Sequence, residues 1–209
     1  MDAVAMLKAD HRKVEGLFAK FEKARSESVK KELVEQICSE LIVHTTLEEE
    51  IFYPTCRSED VEEDMMDEAQ VEHDGAKVLI RDLMKEEPGS EMYDAKVKVL
   101  SEYIKHHVKE EEKPSSGVFA SAKKNGLDAE AVGEQMAARK KELMADAEAG
   151  GLPEPEPKSF SLNGGRGSAR HPQKDADTDE GRAGAGNGGR GASAALSVTH
   201  AAKRATIGE

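Results

Sequence analysis

Four histidines, His11, His44, His73 and His107, fall where helical periodicity calls for an apolar side chain, and so do two glutamates, Glu48 and Glu111. Each glutamate follows a histidine by four residues, a spacing that puts the pair one helical turn apart on one face. Imidazole nitrogen with carboxylate oxygen is a donor set for iron, manganese or zinc. With no thiolate among the six, a closed structural zinc site does not fit. Each residue alone has an ordinary reading: a stripe histidine is often a satisfied core residue, and HxxxE is a common pair on helix surfaces. The constellation carries the weight.

Four amphipathic patterns must position these residues. Val4, Leu7, His11, Val14, Phe18 and Phe21 recur at gaps of three and four, and so do Leu33, Ile37, Leu41, His44, Glu48 and Ile51. The second pattern is expected to stop at Pro54, which cannot continue a helix. Met66, Ala69, His73, Ala76, Ile80 and Leu83 form a third, ending before Pro88-Gly89. Leu100, Ile104, His107 and Glu111 form a fourth, ending before Pro114. Breaks near Ser26, Arg57 and Gly89 leave short connections, which predicts an all-α, up-down-up-down antiparallel four-helix bundle. A further helix is expected over about 127–149, in a position its pattern does not set.

The distances of the four histidines from the breaks differ by only about two or three residues between successive helices. With ~1.5 Å rise per residue, the histidines reach one level to within ~3–5 Å. Burying four imidazoles and two carboxylates uncompensated would cost several kcal/mol for each unpaired charge, and a bound cation removes that cost. If both glutamates bridge and an oxygen bridges as well, about ten bonds serve two ions, about five each, leaving each an open position. A single ion, with ligands left over, is the alternative.

The chain carries 30 Lys+Arg against 42 Asp+Glu, a formal charge of −12, which makes nucleic acid a poor partner. Aromatics are 4% with no Trp, which suits a solvated helical domain. Cys38 and Cys56 form no CxxC; Cys38 reads as a small buried hydrophobe and Cys56 as a possible exposed thiol. No signal peptide and no apolar run of membrane length is present, so a soluble cytoplasmic protein with no membrane partner is expected. Composition shifts near Gly150: 11 Gly fall in the last 59 residues, with almost no apolar periodicity. Residues 1–150 are therefore expected to form the bundle, with core helices over about 1–113, and residues 151–209 a disordered Gly-rich tail. His171 and His200 lie in that tail without partners at ligand spacing.

The stretch His44-Thr45-Thr46-Leu47-Glu48-Glu49-Glu50-Ile51-Phe52-Tyr53-Pro54 resembles the hemerythrin-like, or HHE cation-binding, family. So do Asp10-His11-Arg12, Glu72-His73-Asp74 and His106-His107-Val108-Lys109-Glu110-Glu111-Glu112. The resemblance covers about residues 1–120 and implies a di-iron centre, two Fe ions with oxo and carboxylate bridges, held by His11, His44, Glu48, His73, His107 and Glu111. Two features depart from the pattern. Oxygen-carrying hemerythrins have a second histidine four residues after the one on the third helix, where this chain has Lys77, as in the bacterial H-HxxxE-H-HxxxE branch. Secondly, Lys113-Pro114-Ser115-Ser116-Gly117 intervenes before Val118-Phe119, where the family runs directly into Phe-Pro. Glu72 and His106 lie about 100° from the ligand stripe and are read as solvated; Glu49 and Glu110, turned about 100° from the ligand face, are expected to be dispensable for metal binding.

Open positions on iron imply a small partner: O2, NO or peroxide. A non-enzymatic sensor or binder is the leading expectation. Peroxide-degrading, catalase-like chemistry and iron handling are the alternatives. Peroxide breakdown needs a proton donor at the departing oxygen, and Tyr103, one turn before His107, is read as the nearest phenol. The sequence names no protein partner.

Overall fold

In the computed structural model, residues 2–160 are described; His171, His200 and the rest of the Gly-rich segment lie outside them. Four long helices carry the four apolar patterns: α1 (Ala3–Phe21), α2 (Glu27–Leu47), α4 (Glu63–Leu83) and α5 (Tyr93–Glu111). They pair as two antiparallel hairpins, α1 with α2 and α4 with α5, closed into an all-α bundle by α1–α5 and α2–α4 contacts. The expected up-down-up-down architecture is what the chain adopts. Asp2 starts α1 by accepting the Ala5 N–H at 2.7 Å, the ordinary N-cap role of a short acid.

The second pattern does not stop at Pro54. Helix α2 passes into a π-helical turn over Glu48–Phe52, then into a short helix α3 (Tyr53–Ser58) with Pro54 in its first turn. There a missing N–H costs little, because first-turn N–H groups have no intrahelical acceptor. Cys56, expected to be exposed, is fully buried in this extension, and burial pushes its thiol up to about 12. Cys38 is buried as expected.

The residues between Glu111 and Val118 fold back sharply over the end of α5. A Cβ on Gly117 would meet the Glu111 carbonyl oxygen at 2.3 Å, so only glycine allows this approach. The turn delivers a short helix α6 (Val118–Lys124), whose Phe119 packs edge-on against Phe52 and stacks on the His11 ring. The fifth predicted helix is α7 (Ala129–Glu148), capped by Asp128 and lying along α1 and α2, with Met136 and Leu143 fully buried.

The apolar core is divided. One cluster, including Leu7, Leu47, Phe52, Met66, Phe119 and Met136, fills one end of the bundle. A second, including Val14, Phe18, Ile37, Leu41, Ile80 and Leu100, fills the other. The polar stripe residues lie where the two meet.

After α7 the chain does not leave the bundle at Gly150. The backbone N–H groups of Lys158 and Ser159 both donate to Asp74 Oδ2, at 2.7 and 2.6 Å, and Arg81 pairs with Glu154. The boundary expected at Gly150 therefore falls short of the last docked residue. A completely buried aspartate needs donors, and the strap supplies two that no periodic pattern announces.

Two outcomes follow. Leu143→Ala should cost about 2–5 kcal/mol in urea unfolding, as for other fully buried leucines. Truncation after Phe160 should leave Tm unchanged, whereas truncation after Gly150 should lower it by about 4 °C or more through loss of the clasp on Asp74. Equal melting of the two truncations would show that the clasp contributes nothing.

Candidate metal centre

The six stripe residues meet in one layer, all at most 5% exposed. His11 Nε2 lies 3.2 Å from His44 Nε2, and His73 Nε2 lies 3.2 Å from His107 Nε2. The carboxylates stand between these pairs. Glu48 Oε2 is 3.1 Å from His44 Nε2 and 3.2 Å from His73 Nε2; Glu111 Oε2 is 3.4 Å from both His11 Nε2 and His107 Nε2. Each carboxylate thus spans the two hairpins. Two ligand groupings emerge, His11 with His44, Glu48 and Glu111, and His73 with His107 and Glu48, and they share Glu48.

The buried atoms fit a cation. Both oxygens of Glu48 and Oε2 of Glu111 are enclosed without a hydrogen-bond donor among the described residues. Burial alone would raise the Glu48 carboxyl, but the His44 charge beside it holds it well below the ordinary range. Burial would likewise lower His44, and the charge of Glu48 instead raises it to about 10. His107 is driven well above its usual value in the same way, its burial overcome by Glu111. His11 goes down, through burial and the neighbouring charge on His44. Protons thus occupy the place that a cation would take.

The other ring nitrogens face outward, each toward a carboxylate from the next helix around the bundle. His11 Nδ1 meets Glu112 at 2.8 Å, His73 Nδ1 meets Glu49 at 3.3 Å and His107 Nδ1 meets Glu72 at 2.9 Å. Asp10 faces His44 Nδ1 at 3.9 Å, beyond hydrogen-bond reach. An Nδ1–H given to a carboxylate fixes the tautomer and leaves the Nε2 lone pair pointing inward. Each outer carboxylate is in turn held by a basic group: Glu112 by Arg12, Glu49 by Lys77 and Lys158, Asp10 by Lys140, Glu72 by His106.

Two expectations are corrected here. Glu72, read as solvated, and Glu49, read as dispensable for the metal, meet the candidate ligands His107 and His73; the Glu49 side chain is 5% exposed, and donors from His73, Lys158 and Lys77 overcome its burial to hold its carboxyl far below the ordinary range. In a bundle, a residue 100° off the seam faces the neighbouring helix rather than water. Tyr103 is exposed and packs over Gly75; the phenol at the site is Tyr53, missed by the periodicity. Its hydroxyl donates to Glu111 Oε1 at 2.9 Å and lies 3.4 Å from His73 Nε2, and its ring stacks on His73. Five residues along an α-helix would place Tyr53 about 140° away from Glu48. The π turn, whose closing bond runs from Tyr53 N–H to the Glu48 carbonyl, brings the two onto one face. Burial and the Glu111 charge push the phenol well above its usual value, so it stays a proton donor.

The sequence profile of the hemerythrin HHE cation binding domain matches residues 2–114. A DNA nickase of Nostoc sp. is 30% identical over 125 residues, 60% of this chain and 34% of that protein, so the chain spans about a third of that relative. Among solved structures, a hemerythrin HHE cation binding domain-containing protein from Mycobacterium kansasii superposes with a TM-score of 0.59 at 22% identity, covering 72% of this chain and 94% of that one. That likeness is one of fold. No helix among the described residues is long and apolar enough to cross a membrane.

Glu49→Gln and Glu112→Gln, which keep shape and remove the charged acceptor, should each weaken iron binding about 10–100-fold in chelator competition. Glu50→Gln, exposed and paired only with Arg139, should not. Equal effects from all three would refute the orienting role. His44, raised to about 10 by the charge of Glu48, carries a proton at pH 7 that binding must displace, and Glu111 shifts His107 in the same direction. Loading should therefore release at least one proton per chain, and affinity should climb as pH rises from 7 toward about 10. Calorimetry in buffers of different ionisation enthalpy reads the proton count.

Proposed function

The chain belongs to the hemerythrin HHE cation-binding family, and from that premise we propose that it holds two iron ions and engages O2, NO or peroxide as a sensor or binder rather than as a catalyst. His11 and His44 would hold one ion and His73 and His107 the other, with Glu48 and Glu111 placed within reach of both pairs. The shared position of Glu48 in both ligand groupings supports two ions over one. Iron in its ferrous state supplies the electron donation that reversible binding of such ligands requires.

The observation that carries this reading is a cavity on the side of the histidines away from Tyr53's contact with Glu111. It is lined by Val14, Leu41, Ile104 and Val108 together with the four histidines, and its free volume of about 10 Å³ holds one water-sized molecule. Its one hydroxyl, on Thr45, is given to the Ile42 carbonyl at 3.3 Å. With the four imidazoles committed to metal and Asp10, also in the wall, held by Lys140, a small ligand there would meet no free proton donor, which favours holding it over cleaving it. The peroxide-degrading reading rests on Tyr53, whose proton is at present given to Glu111.

Protein purified with iron should contain close to two Fe per chain, and Glu48→Ala or Glu111→Ala should lose most of it. A ratio near one would refute the dinuclear reading. Exposure of the reduced protein to NO or O2 should give a persistent optical adduct, with slow peroxide consumption changed less than about threefold by Tyr53→Phe. Fast, repeated peroxide turnover abolished by Tyr53→Phe would replace this reading with the enzymatic one.

A further inference from the structure

Four surface cavities include an outer carboxylate; one, on the far side of Glu72, is walled mainly by Val71, Gly75, Tyr103 and Phe160, and the other three differ in charge. The one at Glu112 also presents Lys8, Lys113 and Lys123, and the one at Glu49 presents Lys77 and Lys158. The third, about 210 Å³, opens between α4 and α5 beside Glu72 and has no lysine or arginine in its wall. Its carboxylates run inward by depth. Glu62 and Glu68 are exposed, Glu72 and Glu110 are half-buried, and Glu111 is buried, beside His107. Glu62 and Glu68 form no ion pair among the described residues, whereas Glu72 is held by His106 and His107, and Glu110 by Lys113. The groove ends on the candidate metal centre: Glu111 and His107 form its inner wall, and Glu111, 1% exposed, carries Oε2 toward His11 and His107 without a hydrogen-bond partner among the described residues.

The opposite side of the bundle sharpens the contrast. There α7 lies along α1 and α2, and Lys140 pairs with Asp10, which faces His44 as Glu72 faces His107. A cation approaching on that side meets a helix and an ammonium group.

We propose that the groove between α4 and α5 is the uptake route for the divalent metal, with Glu62 and Glu68 as a capture site for the hydrated cation and Glu72 and Glu110 as way-stations to Glu111 and His107. This rests on the metal-centre reading above. A cleft lined by one sign of charge concentrates the opposite ion and speeds its association, by 10–10³-fold in order of magnitude, in a salt-sensitive way. The mouth carboxylates need not touch the final ions to set how fast they arrive.

The test separates rate from capacity. Metal-free full-length protein, with helicity verified by circular dichroism, is mixed with Co(II) or with anaerobic Fe(II) and loading is followed by stopped flow. The Glu62→Gln/Glu68→Gln double variant should load about tenfold more slowly at low salt, with the deficit shrinking as salt rises. Its final metal content and ligand-field spectrum should match those of the unmodified chain. Glu130→Gln/Glu134→Gln, which removes the same charge from the exposed face of α7, should load at the unmodified rate. Glu68→Lys alone should slow loading further. An unchanged rate in the first variant, or equal slowing in the α7 control, would overturn the route while leaving the metal centre intact. No uptake by the unmodified chain would overturn the metal centre, and the route with it.

Discussion

Everything in this bundle is arranged around a layer of buried charge that crosses its core. Among the described residues, no N–H or O–H except that of Tyr53 satisfies the oxygens of Glu48 and Glu111, and four imidazoles close around them. In a low-dielectric interior such an arrangement is unfavourable unless positive charge sits between the carboxylates, as protons on His44 and His107 or as a metal. The apolar clusters on either side supply the stability that tolerates the layer, and their division into two is its direct consequence. Removing one carboxylate would strand imidazolium charge without its counterion, a worse state than an all-apolar core.

The layer is built from one device used twice. An acid-histidine pair on one helix and HxxxEE on the next occur as Asp10-His11 with His44 to Glu49, and again as Glu72-His73 with His107 to Glu112, 62 or 63 residues later. Each helix turns a histidine inward and passes a carboxylate to the next histidine around the ring: Asp10 to His44, Glu49 to His73, Glu72 to His107, Glu112 to His11. Three of these contacts, on His11, His73 and His107, are hydrogen bonds that fix the tautomer by one rule, whereas Asp10 stands beyond hydrogen-bond reach of His44. A histidine ligand is oriented by the helix before it, so the bundle's packing angles and the site's geometry are not independent.

The ligand face was legible because a 3.6-residue period marks it directly, and six polar residues on that face have no ordinary explanation together. The outer carboxylates were misread for a physical reason. Periodicity separates core from surface, whereas Glu49 and Glu72 occupy the flank between helices, which a two-way division of the helix assigns to water. Tyr53 was invisible because the π turn breaks the period on which the reading depends, and it does so beside the site, where such turns are frequent. The docking of residues 151–160 was hidden for another reason: beside the side-chain pairs of Arg81 and Lys158 it uses two backbone N–H groups on Asp74, and backbone donors leave no trace in side-chain pattern.

Lys77 shows what replaced the histidine of oxygen-carrying family members. It is buried, and its ammonium group lies 2.5 Å from Glu49 Oε1 and 3.1 Å from Asp74 Oδ1. A protonated lysine has no lone pair for a metal, so the position cannot serve as a ligand. It acts one step outward instead, holding the carboxylate that orients His73 and the aspartate that clasps the strap. The two ions of the proposed centre are then served by two imidazoles each, which matches the repeated device rather than breaking it. Asymmetry enters outside the ligands, where α7 closes one side of the bundle and an acidic groove opens the other. The histidines and glutamates are thus arranged alike in the two hairpins, while what surrounds them is not.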